Sequence, residues 1–400
     1  MTTEPDLIPS WPFERVDPLS PPPELAALRE KCPMSKVSLW DGQEVWLATR
    51  YEDIKAILRS PEISSDTSRP NFPQASATLA AARGSQKTFV RTDPPEHGVQ
   101  RRMLIADFTP AQVATLRPYM EDLVDGLLND LEATGGPVNL VTALATPVPA
   151  HVICKILGLP PERSDFFLDR VSAFMNLDGS PADAYQANSD VADYFTAVVA
   201  ERVQHPGDDL ISKLITENVA SGKLTIEQLV PMLNLLLVGG FDTTANMIAL
   251  GTIVLLRNPD QLEDLRAHPE LIVNAVEEMI RYLTVAHHVA FRQAKGEIEV
   301  GGVCIHAGEG VAAPIAAANR DPEAFPDPDK FDIRRDARDH VAFGFGPHQC
   351  IGQHLARLEL QVVFSKLIAR FPGLRFAGDP DALNYRNSMI YGVEELPVTW

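Results

Sequence analysis

The sequence predicts a mainly α-helical protein with a small β-rich region. Helical hydrophobic periodicity dominates from about residue 92 to about residue 285. Two short segments instead alternate around turn residues, one at Asp41-Gly42 and one at Gly301-Gly302, which is typical of β-hairpins. A further helix is expected from about Gly352 to Phe371, followed by short strands.

Composition and charge narrow the classes of protein. The chain has 400 residues, of which 45% are hydrophobic and 22% charged, as in ordinary globular proteins, and its length alone suggests two or three domains. The net charge of −19 argues against nucleic acid or an anionic membrane as partner. Residues 1–25 contain no apolar segment typical of a signal or anchor, so we expect a soluble, cytoplasmic protein.

The N-terminal quarter predicts a hairpin around Asp41-Gly42 and a helix from Tyr51 to Ser60. Residues 61–90 are rich in Ser, Pro and Ala, and a connection of this length is often a binding loop or lid. Thr92 or Asp93 is expected to cap the next helix.

The long central helix is expected to begin at a capping box, Thr225 to Gln228, and to end at Arg257 before Asn258-Pro259. Its apolar segment also carries Asn234, Asp242 and Asn246, so a buried helix is favoured over a membrane span.

Inside this helix lies GGFDTTAN, residues 239–246, which is poor in helix-forming residues. One interpretation is a kink relieved when a threonine hydroxyl bonds a carbonyl one turn back. The other is that the glycines admit a flat ligand, while the acid and the alcohol handle protons.

The four cysteines, Cys32, Cys154, Cys304 and Cys350, show no C-x-x-C spacing, which argues against a disulfide framework or a zinc ribbon and fits a reducing compartment. Cys350 follows a glycine-punctuated loop, FGFGPHQCIG, and precedes a helix whose dipole would stabilise a thiolate. A thiolate ligand to haem iron and a nucleophile are both compatible with this context.

The segment FGFGPHQCIGQHLAR resembles the haem-ligand signature of the cytochrome P-450 family, Phe-Gly-x-Gly-x-His-x-Cys-x-Gly. Four further segments resemble that family in the same order along the chain: HGVQR, GGFDTT, EEMIR and ANRDPEAFPDPDKFDIRR. The likeness covers essentially the whole chain and is greatest to the soluble actinomycete branch. It implies one triangular, mostly helical domain over residues 1–400, with haem between the central helix and the cysteine loop.

The resemblance also implies roles for individual residues. Cys350 is the axial ligand of a haem b iron, Asp242 relays protons from solvent, and Thr243 is the first proton donor at the oxygen site. The other implied haem contacts are His97, Arg101, Arg292, His348, Phe343 and Gly344. Glu278, Arg281 and Arg335 are implied to form a structural ion network.

The substrate pocket is expected between residues 61–90, 165–190 and 387–392, with further candidate contacts at Gly239, His287, His288, Val289 and Ile390. The segment YLTVAHHVAFR lacks the proline frequent there in the family. Two histidines in a pocket wall suggest a polar or carboxylate-bearing substrate, and the alternative is that one of them is a core residue.

The function that follows is a monomeric monooxygenase that hydroxylates or epoxidises a medium-sized organic molecule with O2. NAD(P)H would supply electrons through a ferredoxin reductase and a ferredoxin, since the chain has no G-x-G-x-x-G fingerprint. A basic patch of Arg334, Arg335, Arg338 and Arg357 would dock the ferredoxin. The alternatives are a nitric oxide reductase using NADH directly and a non-enzymatic haem-thiolate sensor. Asp242 and Thr243 favour the monooxygenase.

Overall fold

The computed structural model describes residues 8–81, 88–176, 179–287, 290–386 and 388–400. Over these residues the α-helices are α1 (Pro23–Lys31), α2 (Tyr51–Arg59), α3 (Ala77–Ala81), α4 (Glu96–Leu104), α5 (Pro110–Ala114), α6 (Arg117–Thr134), α7 (Pro147–Leu157), α8 (Ser164–Met175), α9 (Pro181–Gln204), α10 (Leu210–Leu214), α11 (Ile226–Arg257), α12 (Pro259–Ala267), α13 (Ile272–Leu283), α14 (Ile315–Asn319) and α15 (Gln353–Arg370). The strands are β1 (Met34–Ser38), β2 (Glu44–Ala48), β3 (Ile63–Ser64), β4 (Val138–Asn139), β5 (Phe291–Ala294), β6 (Ile298–Val300), β7 (Val303–Ile305), β8 (Gly310–Ala312), β9 (Arg375–Phe376), β10 (Tyr385–Arg386), β11 (Gly392–Val393) and β12 (Pro397–Thr399). The prediction of a mainly helical protein is confirmed.

The small sheets lie to one side of the helices. The main sheet has the order β1-β2-β8-β5-β3, in which β2 and β8 run parallel and the other neighbours antiparallel. The other sheets are the hairpin β6–β7, the pair β10–β11 and the three strands β4-β12-β9. Both predicted hairpins are confirmed, with Asp41-Gly42 between β1 and β2 and Gly301-Gly302 between β6 and β7.

The central helix α11 begins at the predicted capping box. The Gln228 amide donates to Thr225 Oγ1 at 3.3 Å, and the Thr225 amide donates to Gln228 Oε1 at 3.0 Å. The helix is long and apolar enough to cross a membrane, but 78% of its most apolar window is buried inside the protein, packed against α7, α9, α13 and α15. It is therefore a core helix.

The predicted cap of α4 is wrong. The helix begins at Glu96 and its N-cap residue, Pro95, makes no side-chain capping bond. The Asp93 carboxylate instead accepts from the Ser64 hydroxyl at 2.6 Å and the Ser65 amide at 2.8 Å. Since Pro94 and Pro95 lack amide hydrogens, there is little for a cap to satisfy at this end, and Asp93 joins the segment after β3 to the start of α4.

Two hydrophobic cores flank the site. The larger is built by α6, α7, α9, α11, α13 and α15, and the smaller lies between the main sheet and α2. Arg29 of α1 joins the end of β2 to α14 by donating to Thr49 O, Ala317 O and Arg320 O. The loop that carries Cys350 lies between these cores, in front of α15.

Candidate functional site

The cysteine loop is held by its own backbone and by α2. The Cys350 amide donates to Phe343 O at 2.7 Å, which closes the loop over seven residues. Gly346 has φ +73°, and a Cβ there would lie 2.9 Å from Leu58 O, so only glycine fits this turn against α2. The glycines in this loop therefore serve the close approach of α2 as well as the presentation of the thiol.

The thiol of Cys350 lies two residues before α15 and borders a depression of about 190 Å³, which Arg101, Ile105 and His354 also line. The enclosing protein raises the pKa of this thiol, and the Gly352 amide with Arg101 and Arg357 offsets that rise only in part. The start of α15 therefore stabilises the Cys350 thiolate less than the sequence suggests. The Cys350 side chain is exposed to this depression, and coordination to a metal ion would hold its sulfur as a thiolate.

A cluster of basic side chains lies beside this loop. His97 and Arg101 are one helical turn apart on α4, and the His97 ring lies 4.0 Å from that of His348 in the loop. Arg292 is on β5, and its Nη1 donates to Phe291 O at 2.7 Å. The four residues predicted to contact haem propionates are thus brought together.

The electrostatics of this cluster call for an anion. Burial, followed by Arg292, His97 and Arg101, lowers the pKa of His348 to about 3, and burial lowers that of Arg292 to about 10. Within the described part of the chain, neither His97 Nε2 nor His348 Nδ1 has a hydrogen-bond partner although both are buried. Buried donors and cations without acceptors are costly, so carboxylates fit this site.

Arg91 is a further enclosed cation, on the short turn Phe89–Arg91 before α4, and burial lowers its pKa. It is not among the residues predicted from the sequence. In the sequence its neighbours Thr92 to Pro95 suggest a helix start, and nothing there indicates burial.

The segment GGFDTTAN of α11 stays helical. The Thr243 hydroxyl donates to Gly239 O at 2.7 Å, the bond one turn back that the kink interpretation predicts. The two glycines differ: a Cβ on Gly240 would lie 3.0 Å from Ile153 of α7, whereas a Cβ on Gly239 would meet nothing within 4 Å. Gly240 therefore serves helix packing, and Gly239 with Thr243 borders open space.

Asp242 points to a different neighbour. Its carboxylate accepts from Asn246 Nδ2 at 3.0 Å and lies 3.5 Å from Nη2 of Arg386 on β10, a side chain that is 24% exposed. Burial raises the pKa of Asp242, and the Arg386 charge and the Asn246 hydrogen bond oppose that rise. The acid is thus buried but connected to the surface through one arginine.

The three residues of the predicted ion network are in contact. Arg281 donates to both oxygens of Glu278 at 2.7 and 2.9 Å, with neither side chain exposed, and Arg335 Nε donates to Glu278 Oε1 at 3.3 Å. Arg281 also donates to Asn319 O and Pro328 O, which fixes the chain between α14 and the cysteine loop.

A second network beside it was not predicted. Glu277 accepts from Arg357 Nε at 2.6 Å and lies 3.1 Å from His340 Nε2. Burial opposes ionisation of Glu277, but the hydrogen bonds from His340 and Arg357 outweigh it and lower its pKa to about 2. The Arg357 guanidinium lies 4.5 Å above the Phe343 ring, so this network positions the cysteine loop.

The four arginines of the predicted docking patch all make ion pairs, which lowers the net positive charge that the prediction requires. Arg335 and Arg357 belong to the two networks, Arg334 donates to both oxygens of Asp264, and Arg338 donates to both oxygens of Asp336. Three of these arginines have a carboxylate of their own, whereas Arg335 shares Glu278 with Arg281. A different surface lies at α4, where Val99, Arg102 and the following Ile105 are exposed, and of these Ile105 lines the depression.

Glu359 on α15 is a buried acid that was also missed. The residue is 1% exposed, and burial raises its pKa to about 8, with the nearby Thr244 of α11 as the opposing influence. A signal was present in the sequence, because Glu359 falls on the same helical face as Leu355 and Val362.

The segments predicted to form the pocket walls meet one another. Thr78 of α3 donates to Gly179 O at 2.9 Å, and the Ser388 hydroxyl donates to Met175 O at 3.0 Å. The His287 amide donates to Met389 O at 3.0 Å, and Ala286 pairs with Ile390, which is buried. Residues from all three predicted loops therefore lie in one continuous wall.

His287 stacks its ring on Tyr391, with centroids 4.8 Å apart and planes 12° from parallel. Its ring thus packs against an aromatic residue of the wall, which favours the core interpretation for this histidine. His288 and Val289 lie outside the described residues.

Comparison with known proteins agrees with this geometry. The sequence model of the Cytochrome P450 family matches residues 182–381. Cytochrome P450-SU2 of Streptomyces griseolus is 44% identical over 96% of this chain and 94% of its own length. Pentalenic acid synthase of Streptomyces avermitilis is 43% identical over 98% of this chain and 97% of its own length.

Solved structures are equally similar. The mycinamicin VIII C21 methyl hydroxylase of Micromonospora griseorubida, in its complex with mycinamicin VIII, superposes with a TM-score of 0.94 and 38% identity, covering 98% of this chain and 100% of that one.

Proposed function

The chain belongs to the cytochrome P450 family and is a haem-thiolate monooxygenase, and we propose that residues 1–400 work as a single domain that binds haem b through Cys350. The observation that carries this proposal is the cluster of His97, Arg101, Arg292 and His348 beside the Cys350 thiol, which combines two arginine charges with two buried histidine nitrogens that have no hydrogen-bond partner among the described residues. Two haem propionates would supply the carboxylates that these buried donors lack, and iron would hold the sulfur as thiolate.

When bound, haem activates O2 with two electrons and two protons, and a thiolate ligand favours O–O cleavage. The chain's task is to bind the substrate, exclude water and deliver protons. Thr243 Oγ1 is the proposed first donor at the oxygen site. While the Thr243 hydroxyl donates to Gly239 O, its oxygen lone pairs face the open side of α11 and accept a proton from a neighbouring group. Rotation of the hydroxyl away from Gly239 then lets Thr243 donate its original proton.

Asp242 is the proposed source of those protons. Its raised pKa lets the acid hold a proton, and its contact with Arg386 gives it a route to the surface. Rotation about the Asp242 side chain would exchange the Arg386 contact for one toward Thr243. Positioned proton transfer of this kind contributes about 10²–10⁴-fold to rate.

The proposed substrate is a medium-sized organic molecule of secondary metabolism or a xenobiotic. The relatives named for pentalenic acid and mycinamicin VIII support this class. Gly239 and Thr243 would form the floor, and the wall built from residues 61–90, 165–190 and 387–392 would enclose the molecule, with Ile390 in that wall.

Electrons are proposed to come from NAD(P)H through a ferredoxin reductase and a ferredoxin. The protein itself is proposed to be a cytoplasmic monomer. Ile105 lines the depression that reaches Cys350, and Val99 and Arg102 are exposed on the preceding helix α4, so this surface combines apolar contact with a positive charge. An acidic ferredoxin docked there would lie close to the thiolate side of the haem.

A carbon monoxide spectrum tests the proposal. Reduced wild-type protein should show the long-wavelength Soret band of a thiolate-ligated haem, and Cys350→His should bind haem but lose that band. Persistence of the band in Cys350→His would refute the ligand assignment. A spectral titration of a compound library, followed by product analysis with ferredoxin and O2, then separates a monooxygenase from a sensor, which yields no product.

A further inference from the structure

The hairpin β6–β7 carries a second set of metal-ligating side chains on the solvent side of the main sheet. Its strands pair Ile298 with Ile305 and Val300 with Val303, and the turn is Gly301-Gly302 with φ of +58° and +77°. Positive φ at both turn residues is the type I′ geometry that fixes the register of a two-residue hairpin.

This register sorts the side chains by face. Val300 and Ile305 are buried in the smaller core, so the alternating residues Glu297, Glu299, Cys304 and His306 all point to solvent. Cys304 and His306 are two residues apart on the same side of the chain, and the register places Glu297 opposite His306.

Three of these side chains converge. His306 Nδ1 lies 2.9 Å from Glu297 Oε1 and 3.9 Å from Cys304 Sγ, and the three ligand atoms all lie within 4.8 Å of one another. Around a tetrahedral zinc ion, ligand atoms are about 3.3–3.6 Å apart, given Zn–S of about 2.3 Å and Zn–N and Zn–O of about 2.0–2.2 Å. Shifts of about 1 Å in exposed side chains would therefore complete the geometry.

The backbone at this place is fixed. The His306 amide donates to Glu309 Oε2 at 2.8 Å, and Glu309 in turn accepts from Lys36 Nζ at 2.6 Å and Trp46 Nε1 at 3.0 Å. The hydrogen bonds to Glu309 join the end of β7 to the main sheet. The strand that carries two of the three ligands thus needs no rearrangement to receive an ion.

We propose that Glu297, Cys304 and His306 bind a zinc ion, or a divalent cation of similar preference, with water completing its coordination. A thiolate, an imidazole and a carboxylate are the ligand types that zinc selects, whereas magnesium and calcium select oxygen ligands alone. The site is separate from the haem site, and its ion would join the open ends of β6 and β7.

Zinc binding to the untagged, haem-loaded chain, measured by isothermal titration calorimetry, tests this proposal. The wild-type protein should bind one zinc ion, and Cys304→Ser, His306→Ala and Glu297→Gln should each lower the zinc affinity. Loss of Cys304 or His306 should lower the affinity at least about tenfold, since changes to groups that merely orient ligands cost about 10–100-fold. Glu299→Gln is the matched control, because it removes the same charge from the same face without removing a ligand.

Thiol alkylation gives a second readout. Zinc should protect Cys304 from iodoacetamide but not Cys32, which is also exposed and donates only to Met34 O. The haem spectrum should be the same in every variant. Absence of zinc binding, equal weakening by Glu299→Gln and Glu297→Gln, or equal protection of both cysteines would overturn the proposal.

Discussion

Buried acids on the cysteine side and on the central-helix side of the proposed haem site have pKa shifts in opposite directions. Next to the cysteine loop, Glu277 is bound by Arg357 and His340, and its pKa is lowered to about 2. Asp242 on α11 lies 3.5 Å from Arg386, and Glu359, which lies on α15 beside Thr244 of α11, has no charged partner among the described residues; burial raises the pKa of both acids.

The difference matches two tasks. A group that stays ionised at every physiological pH is a rigid anchor, and Glu277 holds Arg357 over the Phe343 ring of the cysteine loop. An acid whose pKa is raised toward neutrality can hold and release protons. The comparison therefore separates residues expected to change stability from residues expected to change the yield of product.

The largest effect is expected at Thr243 and Asp242. Thr243→Ala and Asp242→Asn should lower product formation by about 10²–10⁴-fold while substrate binding persists, and in Thr243→Ala NAD(P)H consumption should continue with release of hydrogen peroxide. The measurement is product formed per NAD(P)H consumed. Thr252→Ala is the control, since Thr252 also donates to a carbonyl one turn back on α11, at 2.9 Å, but lies more than two turns away. Full coupling in Thr243→Ala would exclude the relay.

Loss of the anchor should act on stability. Arg357→Gln leaves Glu277 with only His340, and breaking such a pair should lower the free energy of unfolding by about 3 kcal/mol and loosen haem, without uncoupling the enzyme. Urea unfolding and haem-loss kinetics measure this. Arg370→Gln removes another arginine of α15 and breaks its exposed pair with Glu132 of α6, which should cost about 1 kcal/mol or less. Equal losses in the two variants would mean that the Glu277 network is no stronger than a surface pair.

The two glutamates should give opposite pH dependences. Glu359 has a pKa of about 8 when folded and 4.5 as a reference, so unfolding releases its proton, and its contribution should fall by about 1.4 kcal/mol per pH unit between those values. Glu359→Gln should therefore gain stability relative to wild type as pH rises across that window. The Glu277 contribution should instead be lost as pH falls from 4.5 toward 2. Parallel curves for wild type and Glu359→Gln in urea unfolding across this range would contradict the assignment.

The smallest effect is expected at the arginines that are already paired. Arg334→Ala and Arg338→Ala should leave both stability and the salt dependence of ferredoxin reduction nearly unchanged, because both charges are exposed and neutralised by Asp264 and Asp336. Arg102→Ala should slow reduction at low salt. Stopped-flow measurement of the reduction rate over a salt series tests this. A slower rate in Arg334→Ala than in Arg102→Ala would instead support docking at the arginines predicted from the sequence.

The features that could be predicted from the sequence depend on short local motifs. The capping box at Thr225 and Gln228 lies within four residues, the hairpin turns lie within two, and the cysteine loop within ten, so the bounds of α11 and the loop could be predicted. The cluster of four haem-side cations followed from resemblance to a family, since nothing in the spacing of His97, Arg292 and His348 indicates proximity.

Only the tertiary structure decided which charges are paired. Arg357 meets Glu277 across 80 residues, and Arg386 meets Asn246, the neighbour of Asp242 on α11, across 140. Four arginines that look like one basic patch in the sequence are each paired with a carboxylate, while Glu359, which looks like an ordinary helical glutamate, is a buried acid. The physical reason is that the energy of a charge depends on its distance to a partner and on the surrounding dielectric, and neither is a property of sequence position.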